Sequence, residues 1–255
     1  MLDGFTRSVF EAPNANGALL RHDVYAKGEG PVVVIIQELP GIGQATLALA
    51  DAFVERGFSV VLPHLFGPLG RVSMVGNLAR VFCMRRHFAL FASGKTSPVV
   101  AWLRTLCRSI RDERGVDGVA VIGMCLTGNF ALSLLADDAV LAGVLSQPSL
   151  PLHTQSALHV SPEDLATTRG RLDVLEPMMA LRFEEDRLCA AGRFDALDAA
   201  LNDGDRERVR LRTMPGPGHS VLTLDFVDEE GHPTRRALDE VFEYFERALG
   251  DGAPV

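Results

Sequence analysis

Short apolar runs alternate along this chain with stretches whose apolar residues recur every three or four positions. "PVVVIIQ" (Pro31 to Gln37) is β-branched and apolar on both faces, the pattern of a strand buried inside a parallel sheet. "GQATLALADAFVERG" follows, with Leu47, Ala50, Phe53 and Val54 at helical spacing and Gly57 suited to the helix end. "FSVVLP", "DGVAVIG", "AVLAGVLS", "MMALRF" and "RVRLRTM" read as further strands. A helix is expected over Val99 to Arg111, and a closing helix over Thr234 to Leu249 carries Leu238, Val241, Phe242 and Phe245 on one stripe. Parallel strands need crossovers, and helices supply them, so the expected architecture is an α/β doubly wound, mostly parallel sheet with helices on both faces. Arg7–Glu11 and Leu19–Ala26, separated by the turn signal "PNANG", predict a leading antiparallel hairpin. No repeat, low-complexity tract or linker divides the chain, so residues 1–255 are expected to form one domain.

Composition refines this picture at its edges. Hydrophobic residues make up 47% and charged residues 23%, ordinary values for a globular protein. No run of 18 or more residues is apolar throughout, which argues against a membrane partner or span. The start, "MLDGFTRSVFEA", lacks the basic-then-apolar order of an export signal. Cys83, Cys107, Cys125 and Cys189 form no CxxC pair and no zinc spacing. A reducing cytoplasm and no metal are the expectation. A net charge of −8 disfavours nucleic acid as a partner. The acidity is uneven, however. No Asp or Glu occurs between Glu55 and Asp112, while that interval holds eight arginines and Lys95. Such a basic middle can draw anions locally.

The chemistry concentrates at "VAVIGMCLTGNFALSLLA" (Val119 to Ala136), where a strand passes directly into a helix. Sites in open α/β sheets lie beyond the carboxyl ends of the strands. A cysteine on that turn has its side chain projected outward, and the next helix aims its positive end at it. Gly123 and Gly128 flank Cys125 with the small residues a close strand–helix approach needs; Thr127 is bulkier than the glycine usual at that place. An unassisted thiol, with pKa near ~8.5, is only a few per cent ionised at neutral pH, so a base should lie nearby. "MPGPGHS" places His219 on a Pro/Gly loop after a strand. "LRFEED" ends a strand with Glu184, Glu185 and Asp186. The order Cys125, Asp186, His219 is that of nucleophile, acid and base in α/β-hydrolase triads.

With "QELPGIG", "GMCLTG", "RFEED" and "GPGHS" at suitable separations, the chain resembles the dienelactone hydrolase family of α/β-hydrolases over most of its length. The resemblance implies Cys125 as nucleophile, His219 as base and Asp186 as its orienting acid. It implies oxyanion donors at the N–H groups of Leu126 and Leu39. It makes Glu38 the counterpart of a glutamate that lies beside the resting thiol and regulates its ionisation. No cofactor is implied. The expected reaction is hydrolysis of a small ester or lactone through a thioester. Two departures stand out. Thr127 replaces a glycine, and the arginine that binds the substrate carboxylate in relatives has no counterpart soon after His219. Thr223 stands in that neighbourhood, and the next arginine is Arg235.

An anionic substrate would instead meet the helix-like "SMVGNLARVFCMRRHFALFA", where Arg85 or Arg86 are candidate carboxylate partners and Phe82 or Phe88 an apolar wall. A thioesterase or other acyl hydrolase on the same fold, and a catalytically silent ligand-binding relative, remain alternatives at the level of sequence.

Overall fold

The computed structural model describes residues 2–70, 76, 94–151 and 154–250. In chain order the elements are β1 (Thr6–Pro13), β2 (Leu19–Lys27), β3 (Val32–Ile36), α1 (Gln44–Glu55), β4 (Ser59–His64), α2 (Val99–Arg114) and β5 (Val119–Met124). A single 3₁₀ turn (Cys125–Thr127) leads into α3 (Gly128–Leu134). Then come β6 (Val140–Ser146), α4 (Pro162–Leu172), β7 (Met178–Phe183), α5 (Ala191–Leu201), β8 (Val209–Met214) and α6 (Pro233–Leu249). The strands form one sheet of order β1-β2-β4-β3-β5-β6-β7-β8. The β1–β2 hairpin is antiparallel and joins β4 antiparallel; every other neighbour pair is parallel.

Alternation along each strand divides the core in two. Val32, Val34 and Ile36 point to the face covered by α2, α3, α4 and α5, where Trp102, Leu106, Phe130 and Leu197 pack. Val33 and Ile35 point to the other face, against Phe53 of α1 and Val241 and Phe245 of α6. All five β3 side chains are buried, each contributing about 1.5–3 kcal/mol. That is why β3 has no polar position at all. By contrast β1 is an edge strand, mostly exposed, and carries Arg7, Glu11 and Pro13, residues that discourage further pairing.

The expected strands and the leading hairpin are all present, with ends shifted by a residue or two. Helix α4 is additional to the sequence expectation. Its Ser161 side chain caps Asp164 N–H, and Pro162 opens it. Only Thr168 and Leu172 of α4 are buried, so its apolar periodicity is faint. Among the described residues no helix is long and apolar enough to cross a membrane.

Topology sets the location of the site. From β3 the chain goes to β4 on one side of the sheet, while β5 lies on the other. The carboxyl ends of β3 and β5 therefore flank a crevice at the switch point, where ligands of such sheets bind.

Candidate active site

Five strand ends meet at this crevice. Glu38 follows β3, Cys125 follows β5, Gln147 to Pro151 follow β6, Asp186 follows β7 and His219 follows β8. Cys125 sits at φ 53°, a left-handed conformation that L-residues rarely adopt. The strain is what tips its side chain off the end of β5, and it leaves the residue 5% exposed. Thr127 holds this bend. Its hydroxyl accepts from Met124 N–H at 3.1 Å and has three carbonyls within donating reach, Met124 at 3.0 Å and Ile36 and Gln37 at 3.2 Å each. The side chain that looked oversized for the turn thus ties it to the end of β3. Gly128 cannot carry a side chain, since a Cβ there would lie 2.6 Å from the Pro148 Cα.

Asp186 and His219 come together at 2.7 Å, Oδ2 to Nδ1. The other carboxylate oxygen accepts from Leu188 N–H at 2.8 Å and Cys189 N–H at 3.0 Å, a turn that fixes the acid's orientation. Glu184 and Glu185 are exposed, so of the acidic triplet only Asp186 reaches the ring. Burial pushes the Asp186 pKa up, but the hydrogen bond and charge of His219 outweigh it and hold the carboxyl below its ordinary value. The histidine loop is fixed twice over. Asp225 accepts from the backbone N–H of His219 and of Ser220, both at 2.8 Å. Gly218, at φ 147°, leaves no room for a Cβ, which would sit 2.7 Å from the Phe183 ring.

Burial would lower the His219 pKa; the hydrogen bond to Asp186 and then the Cys125 sulfur reverse this and raise it to about 10. Its Nε2 is buried and has no hydrogen-bond partner among the described residues. The Cys125 sulfur is near enough to the ring to contribute to its raised pKa. Such contacts commonly tighten only when substrate binds. The imidazole side chain keeps 18% exposure, so the site is not sealed.

Glu38 is 1% exposed. Its carboxylate accepts from Thr223 Oγ1 at 2.5 Å and from Ser220 Oγ at 2.8 Å, with Gln147 Nε2 at a long 3.5 Å. Burial raises its pKa, and the Thr223 and Ser220 hydroxyls offset part of that rise. Thr223, the residue standing where an arginine was sought, is thus a ligand of Glu38. The group at hydrogen-bonding distance from the sulfur is one that the sequence did not single out. Ser149 Oγ lies 3.7 Å from Cys125 Sγ.

Leu39 is half-buried after β3, and Leu126 is buried in the turn beside Cys125. Arg85, Arg86 and Phe82 lie outside the described residues. A groove of about 470 Å³ between α1 and α6 includes Leu222 and Thr223 in its wall but none of Cys125, Asp186 and His219. It backs onto the Glu38 cluster and is not where the chemistry converges.

Comparison with known proteins bears on the family and the fold. The model of the dienelactone hydrolase family matches residues 18–249. A carboxymethylenebutenolidase from Rhodococcus opacus is 25% identical over 240 residues, covering 89% of this chain and 84% of the relative. Among solved structures, dienelactone hydrolase from Anabaena variabilis superposes with a TM-score of 0.62 at 15% identity, covering 97% of this chain and 100% of that one. A dienelactone hydrolase-like promiscuous phosphotriesterase from metagenomic libraries gives 0.61 at 16% identity, covering 96% and 99%. At such identities these structures speak for the fold.

Proposed function

The chain belongs to the dienelactone hydrolase family, and from that premise we propose that it hydrolyses small esters and lactones through Cys125, His219 and Asp186 by way of a thioester. The observation that carries this reading is the 2.7 Å pair of Asp186 and His219 beside a cysteine strained onto a strand-to-helix turn.

The chemistry follows from the charges. In the attacking step Cys125 passes its proton to His219, whose pKa is raised to about 10. The thiolate attacks the carbonyl carbon. The N–H groups of Leu39 and Leu126 receive the oxyanion; one such donor is typically worth on the order of 10²–10³ in rate. The C–O bond breaks, and the imidazolium gives its proton to the leaving alkoxide, which stays tethered if the substrate is a lactone. Acylation also removes the sulfur's charge. The part of the His219 shift that came from Cys125 is then lost, and the neutral ring becomes a base suited to deprotonating water. That water attacks the thioester, and the departing thiolate restores the resting pair. Asp186 holds Nδ1–H throughout, keeping Nε2 directed at the reacting groups. No step calls for a cofactor.

The test is a panel of small esters and lactones, anionic and neutral, turned over by wild type, Cys125→Ala and Cys125→Ser. We expect turnover to vanish in the alanine variant, with the fold intact by circular dichroism. Undiminished turnover would overturn the triad. The same panel addresses an anionic preference: Arg85→Ala and Arg86→Ala should weaken selection for carboxylate-bearing substrates. Equal use of charged and neutral esters by all forms would remove that part of the reading.

A further inference from the structure

The segment Gln147–Pro151, which leaves β6, is buried at every residue. A buried stretch outside regular structure has to find a partner for each backbone group. Here the partners come from the elements that build the site. Ser149 N–H donates to the Cys125 carbonyl at 3.0 Å, and Pro148 packs on Gly128. Asn129 Nδ2 donates to the Leu150 carbonyl at 2.6 Å, and Arg193 Nη2 to the Pro151 carbonyl at 2.9 Å. The strained residue Gln147, at φ 37°, starts the segment, and its N–H donates to the Leu181 carbonyl at 2.6 Å. The effect of all these ties is to hold the Ser149 side chain against the sulfur.

We propose that Ser149 is a further catalytic residue, whose hydroxyl donates a hydrogen bond to the Cys125 thiolate and so sets the fraction of reactive sulfur. The proposal rests on Cys125 being the nucleophile, and names a group that touches it. The hydroxyl has one proton and two acceptors within reach, the Gln147 carbonyl at 3.0 Å and Cys125 Sγ at 3.7 Å. While the sulfur is a neutral thiol, the carbonyl is the better acceptor. Once the sulfur carries charge it becomes the better one, because hydrogen bonds to ionised groups are about twice as strong. A small rotation of the hydroxyl then transfers the bond. The interaction favours the charged form alone, and it costs no loop movement because the segment is already fixed. On acylation the sulfur loses its charge and the hydroxyl returns to the carbonyl.

The experiment is the pH dependence of iodoacetamide alkylation of Cys125 in the full chain, followed by mass spectrometry, for wild type, Ser149→Ala, Ser149→Thr and Ser149→Val. Losing the bond should displace the alanine profile to higher pH. A displacement of one unit means about tenfold slower alkylation on the acidic side and convergence with wild type at high pH. Threonine and valine have nearly the same shape, so any strain from added bulk is common to both, and only threonine should retain the wild-type profile. A role confined to packing would slow alkylation equally at every pH, or lower the melting temperature without moving the profile. Either result overturns the proposal, as does coincidence of the threonine and valine profiles. The readout is independent of turnover. If Cys125→Ala still hydrolyses esters, the triad fails, while the alkylation profiles still decide whether Ser149 acts on the sulfur.

Discussion

Thr127→Val asks how much of the Cys125 bend depends on one hydroxyl. The substitution keeps the shape of the side chain and removes only its hydrogen-bonding capacity. Thr127 is fully buried, so nothing from solvent takes the place of what is lost. The hydroxyl accepts one bond, from Met124 N–H at 3.1 Å, and its single proton serves one of three carbonyls at a time. An unsatisfied buried N–H costs about 1–3 kcal/mol, and the lost donation adds about 1 kcal/mol. The variant should therefore be about 2–4 kcal/mol less stable. For a chain of this size each kcal/mol moves the melting temperature by roughly 2–4 °C, so a fall of about 4–16 °C is expected. Scanning calorimetry measures it. Thr127→Ser keeps the hydroxyl and should stay much nearer wild type. Turnover at a temperature where both variants are folded should drop in the valine form. Its bend is no longer tied to the carbonyl ends of β3, and the left-handed Cys125 is free to relax. A valine variant that melts within a degree of wild type, or a serine variant that falls as far as valine, would refute the reasoning.

Stability should also depend on pH through the Asp186–His219 pair. The His219 pKa rises from 6.5 to about 10, so its contribution is complete below about pH 6.5 and is lost as the pH climbs through 10. That rise corresponds to at most about 5 kcal/mol, shared with Cys125 and Asp186 and counted once. Asp186, held below 3.8, contributes above that value and loses its contribution as the pH falls through its lower folded pKa. Asp186→Asn should bring the alkaline loss to lower pH, seen in melting temperatures taken between pH 6 and 11; superposable curves would contradict the pairing. Gly218→Ala should strain the histidine loop, because its φ of 147° and the Phe183 ring both oppose a Cβ. We expect it to cost about 1–3 kcal/mol in stability and to lower kcat more than it raises KM; unchanged kinetics would mean that the loop does not position His219.

What the sequence reveals follows from where the determining interactions lie. The strands β3 to β8 are legible because their apolar content is local, and the cysteine bend because glycines must flank a close strand–helix approach. Asp186 stands beside Glu184 and Glu185 with equal chemical claims, and chain order alone does not explain why it is the one that turns inward. A cue is present all the same: a short Asp can accept from N–H groups two and three residues on, as Asp186 does from Leu188 and Cys189, and the longer Glu side chains do so less readily. Helix α4 is legible from its Ser-Pro-Glu-Asp start and not from its periodicity. Ser149 is not legible at all. It meets the sulfur of a residue 24 positions away, because the ends of β5 and β6 become neighbours only once the sheet has formed. The role of Thr223 is similarly a fact of three dimensions. The carboxylate it serves is Glu38, 185 positions away.

Energetic costs in this fold are not spread evenly, and their distribution is an independent argument for where it works. Among the described residues, two other than glycine hold a left-handed backbone, Cys125 and Gln147. Both follow directly on the carboxyl ends of the adjacent strands β5 and β6. Each conformation costs on the order of 1–3 kcal/mol. A third cost is close by. Arg193 is fully buried, its pKa is lowered to about 10 by desolvation, and its Nε and Nη1 have no partner among the described residues. A guanidinium in that condition is a poor way to stabilise a core, and an apolar side chain of similar volume would do better. What it does achieve is to hold the Pro151 carbonyl, and with it the segment that carries Ser149. Glu38 adds a buried carboxylate whose hydroxyl partners both lie on the His219 loop. A protein evolving for stability alone would remove these features one at a time, since each is independently unfavourable. These costs converge on a single crevice, where they position the Cys125 sulfur, the His219 imidazole and the Ser149 hydroxyl.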